Sequence, residues 1–156
     1  MINLRPVRPD DILFFQVWWR DKDLIKMTSG NLDTLTDQQI QKYFDDMASR
    51  SEDVHRMIET DTGTTIGHVS LLKRKDGWYE TQIVIGDKPS QNKGYGTESI
   101  RRIIALARSQ SVANVYLEVR PENVGAIKSY QNAGFHIVNI FMTGKTLQPS
   151  LIRMEL

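Results

Sequence analysis

The residues of this chain best placed to do chemistry fall between positions 83 and 97. A β-rich run ending in Ile83-Val84-Ile85 gives way to a loop containing Gly86, Asp87, Pro89 and Ser90. Gln91-Asn92-Lys93-Gly94-Tyr95-Gly96-Thr97 then leads into a helical stretch. Strand, glycine loop and helix in that order make an anion-binding layout. The first amides of a helix lack intrahelical acceptors and sit at the positive end of its dipole, and glycines let a phosphate approach with no Cβ in the way. Two better-known glycine loops do not fit. A dinucleotide fingerprint needs Gly or Ala three positions after Gly96, where Ser99 stands; a P-loop ends in Gly-Lys-Ser/Thr, and Tyr95 follows Gly94. Taken alone, the glycines are equally compatible with a plain helix-entry turn.

Residue types that are missing narrow the chemistry further. With no cysteine, disulfides, thiolate zinc sites and an acyl-cysteine intermediate are excluded. His55, His68 and His136 show no spacing to each other or to carboxylates that a metal would need, so no metal is expected and each is read as structural. The serines have no histidine partner nearby in sequence, which leaves no acyl-serine arrangement in view.

The elements that must position the loop can be read along the chain. Ile2 to Arg5 is a short strand, and Pro9-Asp10 opens a helical stretch with Ile12, Phe15, Trp18 and Trp19 at helical spacing, both tryptophans being expected in the core. A polar, glycine-containing segment from Asp21 to Asp33 follows. Thr36 then caps a helix bearing Ile40, Tyr43, Phe44 and Met47. From His55 the period shortens. Arg56 to Glu59, Thr65 to Leu72 and Tyr79 to Ile85 read as an antiparallel meander, with turns at Asp61-Thr62-Gly63 and Asp76-Gly77. Beyond the glycine loop lies a helix with Ile100, Ile103, Ile104 and Ala107 on one stripe and Arg101, Arg102 and Arg108 off it. Val115 to Val119 is a buried strand, Asn123 caps a helix running through Ala133, and Gly134 stands at its C-cap. His136 to Met142 and Leu151 to Leu156 close the chain as a hairpin around a Gly-Lys and Gln-Pro loop. The order predicts an α/β (α+β) domain: a mixed, mostly antiparallel sheet of about seven strands with helices on both faces.

At 156 residues, with 40% hydrophobic and 25% charged residues, the chain is expected to form one domain over residues 1–156 around one core. The amino terminus meets charge within five residues and no window reaches the roughly 18 apolar residues of a membrane span, so the expectation is a cytoplasmic protein with no membrane partner. The net charge of +1 gives no sign of nucleic-acid affinity. Its distribution is uneven: residues 1–61 carry 12 Asp/Glu against 8 Lys/Arg, and residues 62–156 carry 7 against 12. A cationic ligand on the first half and an anionic one on the second would fit, as would two solvated faces.

Gln-x-x-Gly-x-Gly after a β-run, followed about 27 residues on by Asn123, Ala126, Tyr130 and Gly134-Phe135, resembles the GCN5-related N-acetyltransferase (GNAT) family. The likeness is strongest over residues 65–142 and has the look of the subgroup that includes ribosomal-protein and aminoglycoside acetyltransferases. It implies an acetyl-CoA-dependent N-acetyltransferase acting by direct attack in a ternary complex. The amides of Gln91, Asn92, Lys93, Gly94, Tyr95 and Gly96, with Thr97 at the helix entry, would hold the CoA pyrophosphate, the Gln91 side chain mattering less than the loop geometry. Lys93 and Arg101 would add charge. The strand ending at Ile85 would splay from its neighbour and offer Ile83, Val84 and Ile85 to the pantetheine arm, one amide stabilising the thioester oxyanion. Asn123 would cap its helix and bond to CoA or to the strand.

Acyl transfer from a thioester to an amine asks for a base and an acid on opposite sides of the carbonyl. Tyr130 is the acid candidate, since a phenol with a pKa near 10 can protonate a departing thiolate. Its alternative role is a helix tyrosine packing by its ring. Glu80 stands where many family members carry an acidic residue that accepts the amine proton, often through water; a solvated carboxylate is the other reading. The acceptor would be a cationic amine, as on a peptide N-terminus, polyamine or aminoglycoside, drawn by Asp23, Asp33, Asp45 and Asp46 to the cleft between the first two helices and the final hairpin. A non-catalytic acyl-CoA-binding module is the alternative function, and a homodimer the default assembly.

Overall fold

The computed structural model describes residues 1–29, 33–145 and 147–156. The apolar runs and turns of the sequence become β1 (Ile2–Pro6), β2 (Val54–Thr60), β3 (Thr65–Lys73), β4 (Trp78–Ile85), β5 (Asn114–Val119), β6 (His136–Thr143) and β7 (Gln148–Glu155). They form one seven-stranded sheet in the order β1-β2-β3-β4-β5-β7-β6. Every neighbouring pair is antiparallel except β4 and β5, which run parallel. The β3–β4 turn sits at Asp76 and Gly77, both at positive φ, where the sequence places its Asp-Gly signal.

Among the described residues five α-helices cover the sheet: α1 (Ile12–Trp18), α2 (Lys22–Met27), α3 (Asp37–Ser49), α4 (Tyr95–Ser109) and α5 (Val124–Asn132). On one face the α4 stripe of Ile100, Ile103, Ile104 and Ala107 packs on Ile58, Val69, Leu71, Leu117 and Met154, with Tyr130 and Phe135 from the α5 region. Burying each such isoleucine contributes about 1.5–3 kcal/mol. On the other face α1 and α3 lay Phe15, Trp18 and Ile40 on Met57, with Trp19 packed alongside. Residues alternate along β4, so Ile83 and Ile85 join the α4 core while Val84 joins the α1–α3 core. The mixed sheet with helices on both faces is therefore the fold the element order implies.

Local chemistry fixes the ends of these elements. Thr36 and Gln39 form a reciprocal capping box at α3, the Thr36 hydroxyl accepting from the Gln39 amide at 3.3 Å and Gln39 Oε1 from the Thr36 amide at 2.8 Å. At the start of α1, the Arg5 guanidinium grips both oxygens of buried Asp11 at 2.7 Å, tying the helix entry to β1.

Two local expectations are corrected. The segment from Asp21 to Asp33 is not merely polar connection: Asp21 Oδ1 accepts from the Asp23 and Leu24 amides and caps α2, which buries Ile25. Residues 30–32 of that segment lie outside the described residues. The Gln148-Pro149 pair is not loop but the start of β7, paired with Thr143 and Met142.

Candidate active site

β4 and β5 are paired only from Trp78↔Asn114 to Glu80↔Tyr116. Beyond that point β4 continues to Ile85 paired only with β3, and β5 continues to Val119 paired only with β7, so the two parallel strands part in a V. The expected splay is present. It leaves the backbone polar groups of β4 on that side without a ladder partner, at a depth where a ligand strand could supply one.

The opening of the V is a cleft of about 400 Å³. Ile83, Val84 and Ile85 form one wall, and Gln91, Asn92, Gly94 and Gly96 line it from the glycine loop. Asn123, Gly125, Ala126, Ser129 and Tyr130 contribute from α5 and its cap. The structure thus brings together most of the residues singled out from sequence. It does not bring in Lys93, Tyr95, Thr97 or Glu80, none of which lines the cleft.

The loop geometry suits an anion. Gly94 is the N-cap of α4 at φ 83°, and its carbonyl accepts from the Glu98 amide, so the helix begins there. The amides of Asn92, Lys93 and Gly94 donate to no protein acceptor among the described residues, and those of Tyr95, Gly96 and Thr97 open the helix, where no intrahelical acceptor exists. Asn92 adopts a left-handed φ of 60°, a conformation asparagine tolerates. The Gln91 side chain fastens the loop to the end of β4, its Nε2 donating to the Ile85 carbonyl at 2.8 Å. The loop geometry therefore depends on that side chain. Gly86 is required for a different reason. A Cβ there would lie 2.2 Å from the Trp18 ring, so the indole packs directly on the backbone at the strand's end.

Tyr130 is buried at 7% exposure yet lines the cleft, and its ring meets Phe135 edge-on at 6.2 Å. No side-chain hydrogen bond holds its hydroxyl among the described residues. Burial pushes the phenol well above its ordinary pKa, so it stays protonated at any physiological pH. Packing and lining are thus both true of this residue. Asn123 Oδ1 accepts from the Ala126 amide at 3.2 Å, capping α5, while its Nδ2 donates to the Met27 carbonyl at 3.2 Å.

That second contact reveals residues the sequence left out. α2 lies across the mouth of the cleft and lines it with Asp23, Leu24, Met27 and Thr28. Its other end is held by Lys88, whose Nζ lies 3.1 Å from Asp21 and 3.6 Å from Asp23; the Lys88 ammonium pulls the Asp21 carboxyl below its usual range. The Asp21 cap followed by Leu24 and Ile25 was a usable helix signal. Ala126, Ser129 and Tyr130 share one face of α5 by their three- and four-residue spacing, which would have nominated Ser129.

The other candidates stand elsewhere. Glu80 is at the last β4–β5 pair, on the same face as Gln82 and Val84; it bonds Arg74 at 2.6 and 2.8 Å and accepts from Gln82 at 2.9 Å. Arg101 is occupied by the Asn132 carbonyl at 2.7 Å. Asp46 pairs with Lys42, and Asp45 borders a separate hollow of about 520 Å³ between Val7, Ile12, Phe44, Met47 and His55. That hollow has no glycine loop and no splayed strand. His55 and His68, distant in sequence, stack in space with 3.2 Å between Nδ1 and Nε2. No group of three or more potential metal ligands occurs among the described residues, and no helix there is long and apolar enough to cross a membrane.

Comparison with known proteins agrees with this geometry. The family model described as acetyltransferase (GNAT) domain matches residues 2–136. An aminoglycoside N(6')-acetyltransferase type 1 of Klebsiella pneumoniae is 22% identical over 147 residues, covering 86% of this chain and 73% of that protein. The N-alpha-acetyltransferase RimI of Mycobacterium tuberculosis is 33% identical over 81 residues, 50% of this chain and 49% of that one. Among solved structures, spermidine N-acetyltransferase from Vibrio cholerae in complex with CoA and spermine superposes with a TM-score of 0.86 at 18% identity, covering 99% and 94% of the two chains.

Proposed function

This chain belongs to the GNAT acetyltransferase family and is an acetyl-CoA-dependent N-acetyltransferase, and on that premise we propose how its residues act and which amine they serve. The observation that carries the proposal is the meeting of the glycine loop, the unpaired edge of β4 and Tyr130 in one cleft. The amides of Gln91 to Thr97 hold the pyrophosphate of acetyl-CoA. The pantetheine arm pairs with Ile83, Val84 and Ile85, and an amide of that wall stabilises the oxyanion as the amine nitrogen attacks the thioester carbonyl. The carbon–sulfur bond breaks and the departing thiolate takes the Tyr130 proton. The proton lost by the amine passes through water towards Glu80, on the face where the strands part. No covalent enzyme intermediate forms, and the unit spanning residues 1–156 works as one catalytic domain.

The acceptor is a cationic amine. Support comes from Asp23, whose carboxylate is 91% exposed at the cleft mouth, and from the relatives named for aminoglycosides and spermidine. In this reading the protein acts in the cytoplasm as a homodimer, with neither a nucleic acid nor a membrane surface as partner.

Thermal melting with acetyl-CoA tests the premise first. The expected result is stabilisation of about 2.7 kcal/mol at a hundredfold excess over Kd, followed by thiol release with polyamines or aminoglycosides. Stabilisation without thiol release for any amine would reassign the protein as an acyl-CoA-binding module. No stabilisation at millimolar acetyl-CoA would overturn both. Equal turnover of neutral and cationic amines would remove the acceptor assignment alone.

A further inference from the structure

The two faces of β5 and β7 are unlike. Val115, Leu117, Val119, Ile152 and Met154 point into the α4 core. The residues between them point the other way, where the α1–α3 core has no member from β5 or β7 among the described residues and reaches β4 only at Val84. That stretch of sheet carries polar and aromatic side chains instead. It begins at the fork: Glu80 stands opposite Tyr116 in the last β4–β5 pair, and along β7 Tyr116 stands opposite Glu155 and Glu118 opposite Arg153. The Trp78 and Tyr116 rings meet edge-on at 5.9 Å, and a cation is already seated on them. The Arg153 guanidinium carbon lies 3.9 Å from the Tyr116 centroid and 5.1 Å from that of Trp78. Aromatic faces are electron-rich and attract an ammonium as they attract a guanidinium. Burial first, and then the Glu80 carboxylate, raise the Tyr116 phenol above its ordinary pKa, so the ring stays neutral.

Charge decides which ligand fits. Arg74 pairs with Glu80 and Arg153 with Glu155, while Glu118 has no ion pair among the described residues. Three carboxylates against two guanidiniums leave one negative charge, which an added ammonium would cancel and an added carboxylate would double. Position agrees with charge. Trp78 precedes Glu80 by two residues on the same side of β4, about 7 Å along the strand, a span that a short carbon chain between two amines covers. We propose that Trp78 and Tyr116 form a subsite for the second ammonium of a diamine or polyamine acceptor, with Arg153 the resident cation it displaces. Arg153 then turns to Glu118, its neighbour across the strands, and the ammonium faces Glu155 in its place. The subsite rests on the acetyl-transfer reading above and narrows its acceptor from any cationic amine to one with two cationic nitrogens a short chain apart.

Acetyl transfer to 1,4-diaminobutane and to 1-aminobutane, matched in chain length and differing by one ammonium, is the test, read by thiol release. For the native chain kcat/KM should favour the diamine roughly 2- to 30-fold after correction for its two equivalent nitrogens and for amine basicity, with the difference carried by KM. Tyr116→Leu and Trp78→Leu should lower that ratio towards one, Arg153→Gln should raise it, and Leu13→Lys, on exposed α1 surface, should leave it alone. A native ratio of one, which needs no variant to read, overturns the subsite and spares acetyl transfer. No thiol release with these or any other amine overturns both. A ratio that stays constant while both rates fall in the ring variants would show that the rings only support the strands, and a ratio lowered by Arg153→Gln would put the acceptor on the guanidinium itself; either result overturns the subsite.

Discussion

Tyr130 shows how one side chain can serve packing and chemistry together. Its ring is enclosed beside Phe135, and the same burial that stabilises the fold keeps the phenol protonated. Tyr130→Phe should keep the fold and acetyl-CoA binding while kcat falls on the order of 10²–10⁴-fold, the range for loss of a general acid; an unchanged kcat would leave Tyr130 as a packing residue. Arg74→Gln separates the base role from the ion pair, because it leaves the Glu80 carboxylate in place: kcat kept in Arg74→Gln but lowered in Glu80→Gln, with unchanged acetyl-CoA Kd, is expected, and full activity of Glu80→Gln would restrict Glu80 to its contacts with Arg74 and Gln82. Buried His68 and half-buried His55 predict a pH dependence of stability. Burial first, and then the neighbouring His55, push His68 down to about 3; burial also lowers His55. A depressed histidine is neutral in the native state but charged when unfolded. For His68 the stabilising effect is therefore full above about pH 6.5 and lost as pH falls towards 3, by up to about 1.4 kcal/mol per pH unit. Calorimetric melts from pH 7 down to about 4 should show that decline, shallower in His68→Gln.

At the scale of elements, the site depends on how β4 ends and α4 begins. Gly86 follows the last residue of β4 and lies flat against Trp18 of α1, so Gly86→Ala should cost about 1–3 kcal/mol by overpacking, read from urea melts, and should weaken acetyl-CoA binding because the strand end must shift. Gly94 differs, since nothing lies within 4 Å of its added Cβ. Its φ of 83° makes Gly94→Ala cost about 1 kcal/mol through backbone conformation alone. In the acetyl-CoA reading the new methyl group also faces the pyrophosphate, so Kd should rise more than stability falls. Equal small effects on both would show that Gly94 serves only as a helix entry.

Across the whole molecule, the cleft is closed by a contact between residues 96 positions apart, Asn123 with the Met27 carbonyl. The same side chain caps α5, so Asn123→Ala should cost about 0.5–2 kcal/mol of stability and also release one end of α2. Asn123→Asp keeps a cap acceptor but loses the donor to Met27. Retained stability with a raised acceptor KM is the expected result for it, and unchanged kinetics would show that α2 does not gate the cleft.

By itself the sequence determined what depends on near neighbours. The strand and helix periods, the Thr36 and Asn123 caps, the Asp-Gly turn, the strand–glycine–helix order and the two spaced motifs are local patterns, and a backbone with two soft dihedrals per residue turns local pattern into secondary structure directly. The fold class was legible for that reason, and the acetyl-CoA chemistry through the resemblance of the two spaced motifs to the GNAT family. Tertiary structure alone decided which residues share a space. α2 lines the cleft from a segment that looked merely polar, Lys88 binds its acidic end, His55 finds His68, and Glu80 finds Arg74. These pairings are set by the strand order and by the point where β4 and β5 part. Both arise from the balance of two cores packed on one sheet, which no window of neighbouring residues encodes.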